Sequence, residues 1–565
     1  MDRLGRGRPF AGRGSRVPSQ VFVDEDGREV VLHGTNAVVK GPPWVPVADE
    51  FSADLSMTDA DFTIMRDLGL TVVRLGVMWP GVEPERGVYN ETYLDIVADI
   101  VERAERHDVY VLMDMHQDVL ADRFCGEGLP DWAVKTSGKW GPLPAPFPWP
   151  LGSAFRTEPR TGFPVRPDCA KHGWPDYYAA AETGQAFAAL WTNRDGLLDA
   201  WAGMWAKVAE RFKGNPAVLG LELMNEPFPG DVWSHPTELL PFWHRNGEAL
   251  NVLPAYEVLS AAIAAVDPDR LGEYMRPRGE GRRTDLKKIV LRRHDVGHLL
   301  PNSRGHPRRT GCWRTTVRRR LRRDPLRVLT PAPADYHPPQ PEPSSPAKAA
   351  GHLKRQLAVA GRLGTGTMLT ETCNPPCTHS FRNVAEAADE AVQSYASWEW
   401  KPFCRESPET LSGDSQWALY GACRTGYGAP WNATSGLPRD APEYARTHAQ
   451  RIPGRGLSMS FSPDAPTRDF LLRFLLDPEV LGRNSEAVIY ASSRYHYGPA
   501  GPAVDVAPPE CAAEPEYDAA TGLLRIKVLP CPERRITVAV QRKPGEGGGG
   551  ASRLRESPRY DDGRG

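Results

Sequence analysis

Between residues 30 and 400 two kinds of apolar pattern alternate along the chain. Short runs dense in β-branched and apolar residues read as strands buried on both faces: VVLHGTN (30–36), TVVRLGV (71–77), VYVLMDMH (109–116), VLGLELMNE (218–226), RVLTPAPADYH (327–337), GTGTMLTE (364–371) and SYASWEW (394–400). Amphipathic stretches with helical spacing separate them at 58–68, 93–107, 194–212, 255–266 and 347–363. Strand and helix in turn is the signature of parallel βα units, and these strands fall one short of a closed eight. The missing one, fifth in order, is expected just after Pro268. The predicted fold class is therefore α/β, a (β/α)8 TIM barrel. From about Leu457 the helices stop. DFLLRFLL, AVIYASSRYHY, LLRIKVL and RITVAVQRK follow one another between Pro, Gly and Asp turns, which predicts a C-terminal antiparallel β-sandwich.

The two ends lack such patterning. Residues 1–17 are rich in Arg and Gly, residues 544–565 in Gly and polar groups, and both are expected to be disordered. The division expected from the sequence is a barrel over 18–455 and a sandwich over 456–543. A net charge of -2 over 565 residues hides one asymmetry inside the barrel. From Arg276 to Arg327 sixteen Arg and two Lys face four acids, a balance of +14 that leaves the rest of the chain near -16. Without interleaved aromatics or helical order this block reads as a solvated insert rather than a nucleic-acid-binding element; a reading-frame error or a retained intron would leave the same composition. Nine cysteines are too few for a disulfide scaffold at this length, and the odd count leaves at least one without an intrachain partner. The basic N-terminus is not followed by an apolar stretch, so no secretory signal is expected in the chain as it stands, and no run approaches the ~18 apolar residues of a membrane span.

In a barrel of this kind chemistry sits at the C-terminal ends of the strands. Polar residues recur there: Arg74 within the second strand, Asp114, His116 and Asp118 at the third, Asn225 and Glu226 at the fourth, His337 at the sixth, Glu371 at the seventh and Trp398 at the eighth. A carboxyl group ending a run as apolar as VLGLELMNE loses solvation, which disfavours its charged form and raises its pKa. That suits a general acid. Glu371 would have to stay ionised to act as a nucleophile, with Arg74 or another donor holding its pKa low. Retaining glycoside hydrolysis needs such a pair, about 5 Å apart across the scissile bond. Taken singly, Glu226 also reads as a helix N-cap and Glu371 as the partner of an arginine; as a pair in a barrel they point to a glycosidase. This chemistry requires no metal and no cofactor. The chain has no HExxH, no paired CxxC and no nucleotide loop, and Cys373 and Cys377 read as structural thiols.

The phrase LELMNEPFPGD around Glu226, together with LHGTNAVVKGPPWVP, GLTVVRLGVMWPGVEPERGVYN, VLMDMHQDVLADRFCGEGLPDWA and SWEWKPF, resembles the endoglycoceramidases and related glycosylceramidases of glycoside hydrolase family 5. The resemblance implies a retaining β-glycosidase acting by double displacement, with Glu226 as acid/base and Glu371 as nucleophile. It implies that Asn225 bonds the sugar 2-hydroxyl, that His116 and Arg74 position the nucleophile, that Lys40 and Asp118 bind the first sugars of the glycan, and that Trp398 lies beneath the ring at the cleavage site. It also suggests a bond between Cys125 and Cys169. At the sixth strand the family shows His followed by Tyr, whereas here the segment reads ADYHPPQ, so His337 departs from the pattern. Between Asp267 and Asp335 the resemblance lapses altogether.

The connection from Gln117 to about Tyr178 far exceeds the roughly 2–6 residues of an ordinary βα loop and is crowded with Trp, Phe and Pro. Aromatics there suit stacking on sugar faces and contact with lipid tails. They favour a glycolipid over a soluble polysaccharide, and the resemblance implies the glucosyl-ceramide linkage of glycosphingolipids. A steryl-β-glucosidase, a β-glucosidase or an endoglucanase would share the mechanism. A barrel broken at its fifth strand would instead leave a carbohydrate- or lipid-binding protein without turnover. The sandwich is expected either to help the protein meet a membrane surface as a peripheral contact or only to cover the barrel. No nucleic-acid partner is expected, and the chain is expected to be a monomer.

Overall fold

The structure is a computed structural model that describes residues 21–137, 155–235 (except 161, 170, 171 and 173), 248–268, 272–273, 288–291, parts of 349–373, 378–403 (except 402), parts of 431–438 and 440–543. Two short strands come first, β1 (Phe22–Val23) and β2 (Glu29–Val30). Eight parallel strands follow: β3 (His33–Ala37), β4 (Val72–Gly76), β5 (Tyr110–Asp114), β6 (Val218–Glu222), β7 (Gly272–Glu273), β8 (Lys288–Leu291), β9 (Gly366–Cys373) and β10 (Tyr395–Trp398). Each pairs with the next, and β10 pairs with both β9 and β3, so the sheet closes into a barrel. β3, β4 and β6 are buried along their whole length, as strands are when helices cover one face and a barrel interior fills the other.

The covering helices form where the sequence has helical spacing. Glu91–Arg106 begins at Asn90, whose side chain accepts the Tyr93 N–H at 3.1 Å, and buries Leu94, Val97, Ile100, Val101 and Ala104, three or four residues apart. Among the described residues, an apolar cluster fills the N-terminal end of the barrel interior. There Val72, Leu112, Leu219, Met368 and Ala396 meet Phe22, Val30 and Leu32, so that the segment ahead of the first barrel strand plugs the bottom. Asp114 and Glu222 end their strands at the opposite end. Among the described residues no helix is long and apolar enough to cross a membrane.

The fifth strand does lie just after Pro268, but it is only two residues long. The sixth is Lys288–Leu291, inside the Arg-rich block, rather than 327–337, which lies outside the described residues. KIVL is a short β-branched run whose signal is diluted when the block is judged by its average charge. The boundary at residue 455 also does not follow the sheets. β1 and β2 form a hairpin whose second strand pairs with His448–Ile452, and the same antiparallel sheet continues through Glu486–Tyr490, Leu523–Lys527 and Glu516–Asp518. A second antiparallel sheet of four strands contains Gly454–Phe461, Phe470–Leu476, Arg535–Arg542 and Pro502–Ala507. Both sheets contribute to one apolar cluster, with Ile452, Ile489 and Leu524 from one and Leu472, Phe474 and Val538 from the other. In the run AVIYASSRYHY only the first half is strand; Ser493–Tyr497 is a single helical turn.

Where the first sheet meets the barrel, a polar cluster is buried. His33 of β3 stacks on His448 with ring centroids 3.7 Å apart and lies 3.6 Å from Asp389, which pairs with Arg446 at 2.6 Å. Burial depresses both imidazoles, with Arg446 adding to the effect; His33 falls well below the usual range and His448 to about 4. On the hairpin, the buried Glu29 carboxylate accepts the Gly456 N–H at 2.6 Å, and burial pushes its pKa up to about 7 against the pull of that bond.

Candidate active site

Arg74 organises the C-terminal end of the barrel. Its side chain is fully buried and uses all three guanidinium nitrogens. Nε donates to Glu222 at 2.5 Å, Nη1 to Asn36 Oδ1 at 3.0 Å and Nη2 to Asn225 Oδ1 at 3.0 Å. Nη2 also pairs with Asp114 at 3.0 Å, and Nη1 lies 3.8 Å from Glu371 Oε2. Asn36 passes the connection on, donating to the carbonyls of Thr370 and Ser397 at 3.0 Å each, so that β3, β4, β6, β9 and β10 are tied to one group. Asp114 and Glu222 raise the Arg74 pKa despite burial, so the guanidinium is a fixed charge. Burial pushes the Glu222 carboxyl up, against the pull of Arg74.

The same network orients the residues around Glu226. After β6 the buried Leu223 and Met224 lead to Asn225, whose N–H donates to the Met115 carbonyl at 2.9 Å. Asn225 Nδ2 donates to the Gln117 carbonyl at 3.0 Å and faces His116 Nε2 at 3.3 Å. Since His116 Nδ1 lies 2.8 Å from Asp114 Oδ2, the consistent tautomer carries its proton on Nδ1 and accepts on Nε2. Gln117 Nε2 donates to the carbonyls of both Asn225, at 2.7 Å, and Glu226, at 2.8 Å. Glu226 itself has φ of 39°, in the left-handed region, at the corner where the chain leaves the strand toward Pro227; its side chain is half-buried.

Beside this stands a second group. The His116 ring stacks on Trp398 with centroids 5.0 Å apart, and the Lys40 ammonium lies 4.7 Å from the Trp398 ring centre. Lys40 pairs with Asp118 and, at 3.3 Å, with Glu127. These carboxylates raise its pKa although burial alone would lower it. Glu399 follows Trp398, and burial drives its carboxyl well above the usual range, Lys40 opposing and Glu371 and Asp118 reinforcing the shift. The ligand atoms of His116, Asp118 and Glu127 lie within 4.8 Å of one another, the spacing of a metal triad, but the cation against both carboxylates is Lys40. The long loop after β5 is tied by a disulfide between Cys125 and Cys169, the pairing the resemblance suggests; a second, Cys511–Cys531, had no sequence signal.

Of the residues singled out in the sequence, the structure brings Arg74, His116, Asn225, Glu226 and Glu371 into one network, and Lys40, Asp118 and Trp398 into the group beside it. His337 lies outside the described residues. Asn36, Glu222, Glu127 and Glu399 were missed. Each has a signal in retrospect: a polar side chain in a buried strand, or an acid flanked by glycines or aromatics in a segment that must cross the barrel end.

A closed parallel barrel with Asn225 and Glu226 after its fourth strand and Glu371 in its seventh has the layout of the two-carboxylate barrel glycosidases. Residues 23–271 match the model of the Cellulase family, glycosyl hydrolase family 5. An endoglycoceramidase of Cyanea nozakii is 45% identical over 249 residues, 44% of this chain and 48% of that protein. One of Hydra vulgaris is 45% identical over 251 residues, 44% of this chain and 47% of its own length. The chain thus spans about half the length of the curated relatives it matches. Among solved structures, endo-glycoceramidase II from Rhodococcus sp. superposes with a TM-score of 0.58 at 21% identity, covering 93% of this chain and 99% of that one, a likeness of fold.

Proposed function

We propose that this chain is a retaining β-glycoside hydrolase that cleaves the glucosyl-ceramide linkage of glycosphingolipids, with Glu371 as nucleophile and Glu226 as acid/base. The observation that carries the reading is the Arg74 network, which holds Asn225, next to Glu226, and lies against Glu371 from the same guanidinium. In the first step a Glu371 carboxylate oxygen attacks the anomeric carbon. The bond to the ceramide oxygen breaks, and Glu226 gives that oxygen its proton. In the second step Glu226, now a carboxylate, takes a proton from water; the water oxygen displaces Glu371 and the free sugar leaves with the configuration it began with. Arg74 favours the ionised nucleophile, Asn225 faces the 2-hydroxyl, and Trp398, with Lys40 and Asp118 beside it, receives the sugar ring. The two antiparallel sheets, most of whose strands lie within the expected 456–543, are read as a sandwich that serves as the second domain, and the relatives' names support the glycolipid as substrate.

The test is release of ceramide and sugar from glucosylceramide and from a longer glycosphingolipid by the purified chain, with Glu371→Gln as control. Release by the wild type alone is expected, and the products show whether it takes one sugar or the whole glycan. Turnover of a steryl glucoside but of neither ceramide substrate would move the aglycone to a sterol; failure on all three and on soluble β-glucosides would overturn the reading.

A further inference from the structure

After β5 the chain folds back to set one buried carboxyl group, Glu127, against the Lys40–Asp118 pair. Asp118 and Glu127 exchange both main-chain hydrogen bonds, at 3.0 and 2.8 Å. The flanking glycines allow this approach. A Cβ on Gly126 would lie 2.1 Å from the Asp118 carbonyl oxygen, and one on Gly128, where φ is +136°, would lie 2.3 Å from the Gln117 Cβ. Cys125, bonded to Cys169, fixes the start of the turn. Four consecutive residues are thus committed to presenting a glutamate to the interior, where an ionised carboxylate is costly without compensation.

The charges around it are uneven. Lys40 faces Asp118, Glu127 and, more distantly, Glu399; Asp118 also faces His116 Nε2 at 3.6 Å, whose other nitrogen is held by Asp114; Glu399 in turn is near Glu371. Three buried carboxyl groups around one ammonium leave an excess of negative charge that a bound proton reduces. Burial acts on Glu127 in the same direction, pushing its carboxyl well above the usual range, with Lys40 opposing and Asp118 adding to the rise. A protonated carboxyl can donate from one oxygen while accepting on the other, which an ionised one cannot.

We propose that Glu127 is a positioning residue of the sugar pocket: as a carboxylic acid it donates to Asp118, accepts from Lys40, and holds that ion pair beside the Trp398 ring. The proposal rests on the reading of this site as a glycosidase pocket. Glu127 is itself only 1% exposed, so it acts through Lys40 and Asp118 rather than on the sugar. Ionisation at high pH would set it against Asp118 and loosen the pair, so sugar binding is fully present while Glu127 is protonated and weakens as pH rises through its titration.

Glu127→Ala is expected to raise KM for a lactosyl glycolipid about tenfold, with a smaller change in kcat. Glu127→Gln, which keeps the donor and cannot ionise, is expected to restore KM at low pH and to abolish its rise at high pH. Infrared spectra at pH 7 should contain a protonated-carboxyl absorption in the wild type that is missing from Glu127→Gln. An unchanged spectrum, or the same KM–pH profile in wild type and Glu127→Gln, overturns the proposal. If Glu127→Ala does not fold, Glu127→Gln decides. If the wild type turns over no glycoside, the glycosidase reading fails, and the infrared band alone decides whether Glu127 holds the proton.

Discussion

Replacing Arg74 by lysine keeps the charge and removes the geometry. Arg74 reaches Glu222, Asn36 and Asn225 from three different nitrogens. A lysine has one nitrogen, on a stem too short of branches to face three directions, so at least two of those bonds are lost. Buried hydrogen bonds to a charged group contribute about 1.5–3 kcal/mol each, which puts the loss of folding stability on the order of 3–6 kcal/mol. If the Asn225 and Glu371 side of the network bears half of that in the transition state, about 1.5–3 kcal/mol becomes a fall of roughly 10- to 150-fold in kcat/KM. The assay is kcat/KM with an activated aryl β-glucoside, alongside urea unfolding at the same pH. A variant within about threefold of wild type, with an unchanged unfolding midpoint, would show that charge alone is needed at this position and that the network argument is wrong.

Three further outcomes are expected. Glu226→Gln should slow substrates with poor leaving groups far more than activated ones, because only the former need its proton; equal slowing of both would remove it as the acid. Glu29 is protonated in the folded state up to a pKa of about 7, so its contribution is present below the unfolded value near 4.5 and lost as pH rises to about 7; Glu29→Gln should therefore gain on the order of 3 kcal/mol over wild type between pH 4.5 and pH 8 by urea unfolding, and a gap independent of pH would refute this. His448 works in the opposite sense: neutral in the fold down to about 4, it contributes stability above about 6.5 that drains away as pH falls toward 4. His448→Phe, which keeps a ring against His33, should lose on the order of 3 kcal/mol less than wild type from pH 7.5 to pH 4; parallel losses in the two proteins would count against a buried neutral imidazole.

The barrel was legible because its strands are apolar on both faces and its helices are not, a contrast that survives in single segments such as Val218–Glu222 and Glu91–Arg106. The polar strand ends were legible for the same reason: Arg74, Asn225 and Glu371 stand out against Val, Leu and Met. What failed to show was whatever depends on partners far away in the chain. Val30 reads as the start of the first barrel strand and Glu29 as the residue before it, and nothing local says that they pair with Arg451 and Ile452. Glu222 reads as one more polar residue in a strand until Arg74 is set beside it. Lys288–Leu291 is too short to be noticed within an Arg-rich stretch, and β7 has only two residues in which to carry any pattern.

The pairing of the N-terminal hairpin with His448–Ile452, and the stacking of His33 on His448, give the order of synthesis a role. The residues that anchor the first barrel strand are made 415 positions after it. At about 5–20 residues per second a ribosome needs roughly 20–80 s to deliver them. During that interval Phe22, Val30 and Leu32 of the apolar plug have been made but not the sheet that holds them in place. The nascent chain must therefore keep its early strands from premature partners, and a message truncated ahead of residue 448 would yield a polypeptide with most of the active site encoded and no means of closing the floor beneath it.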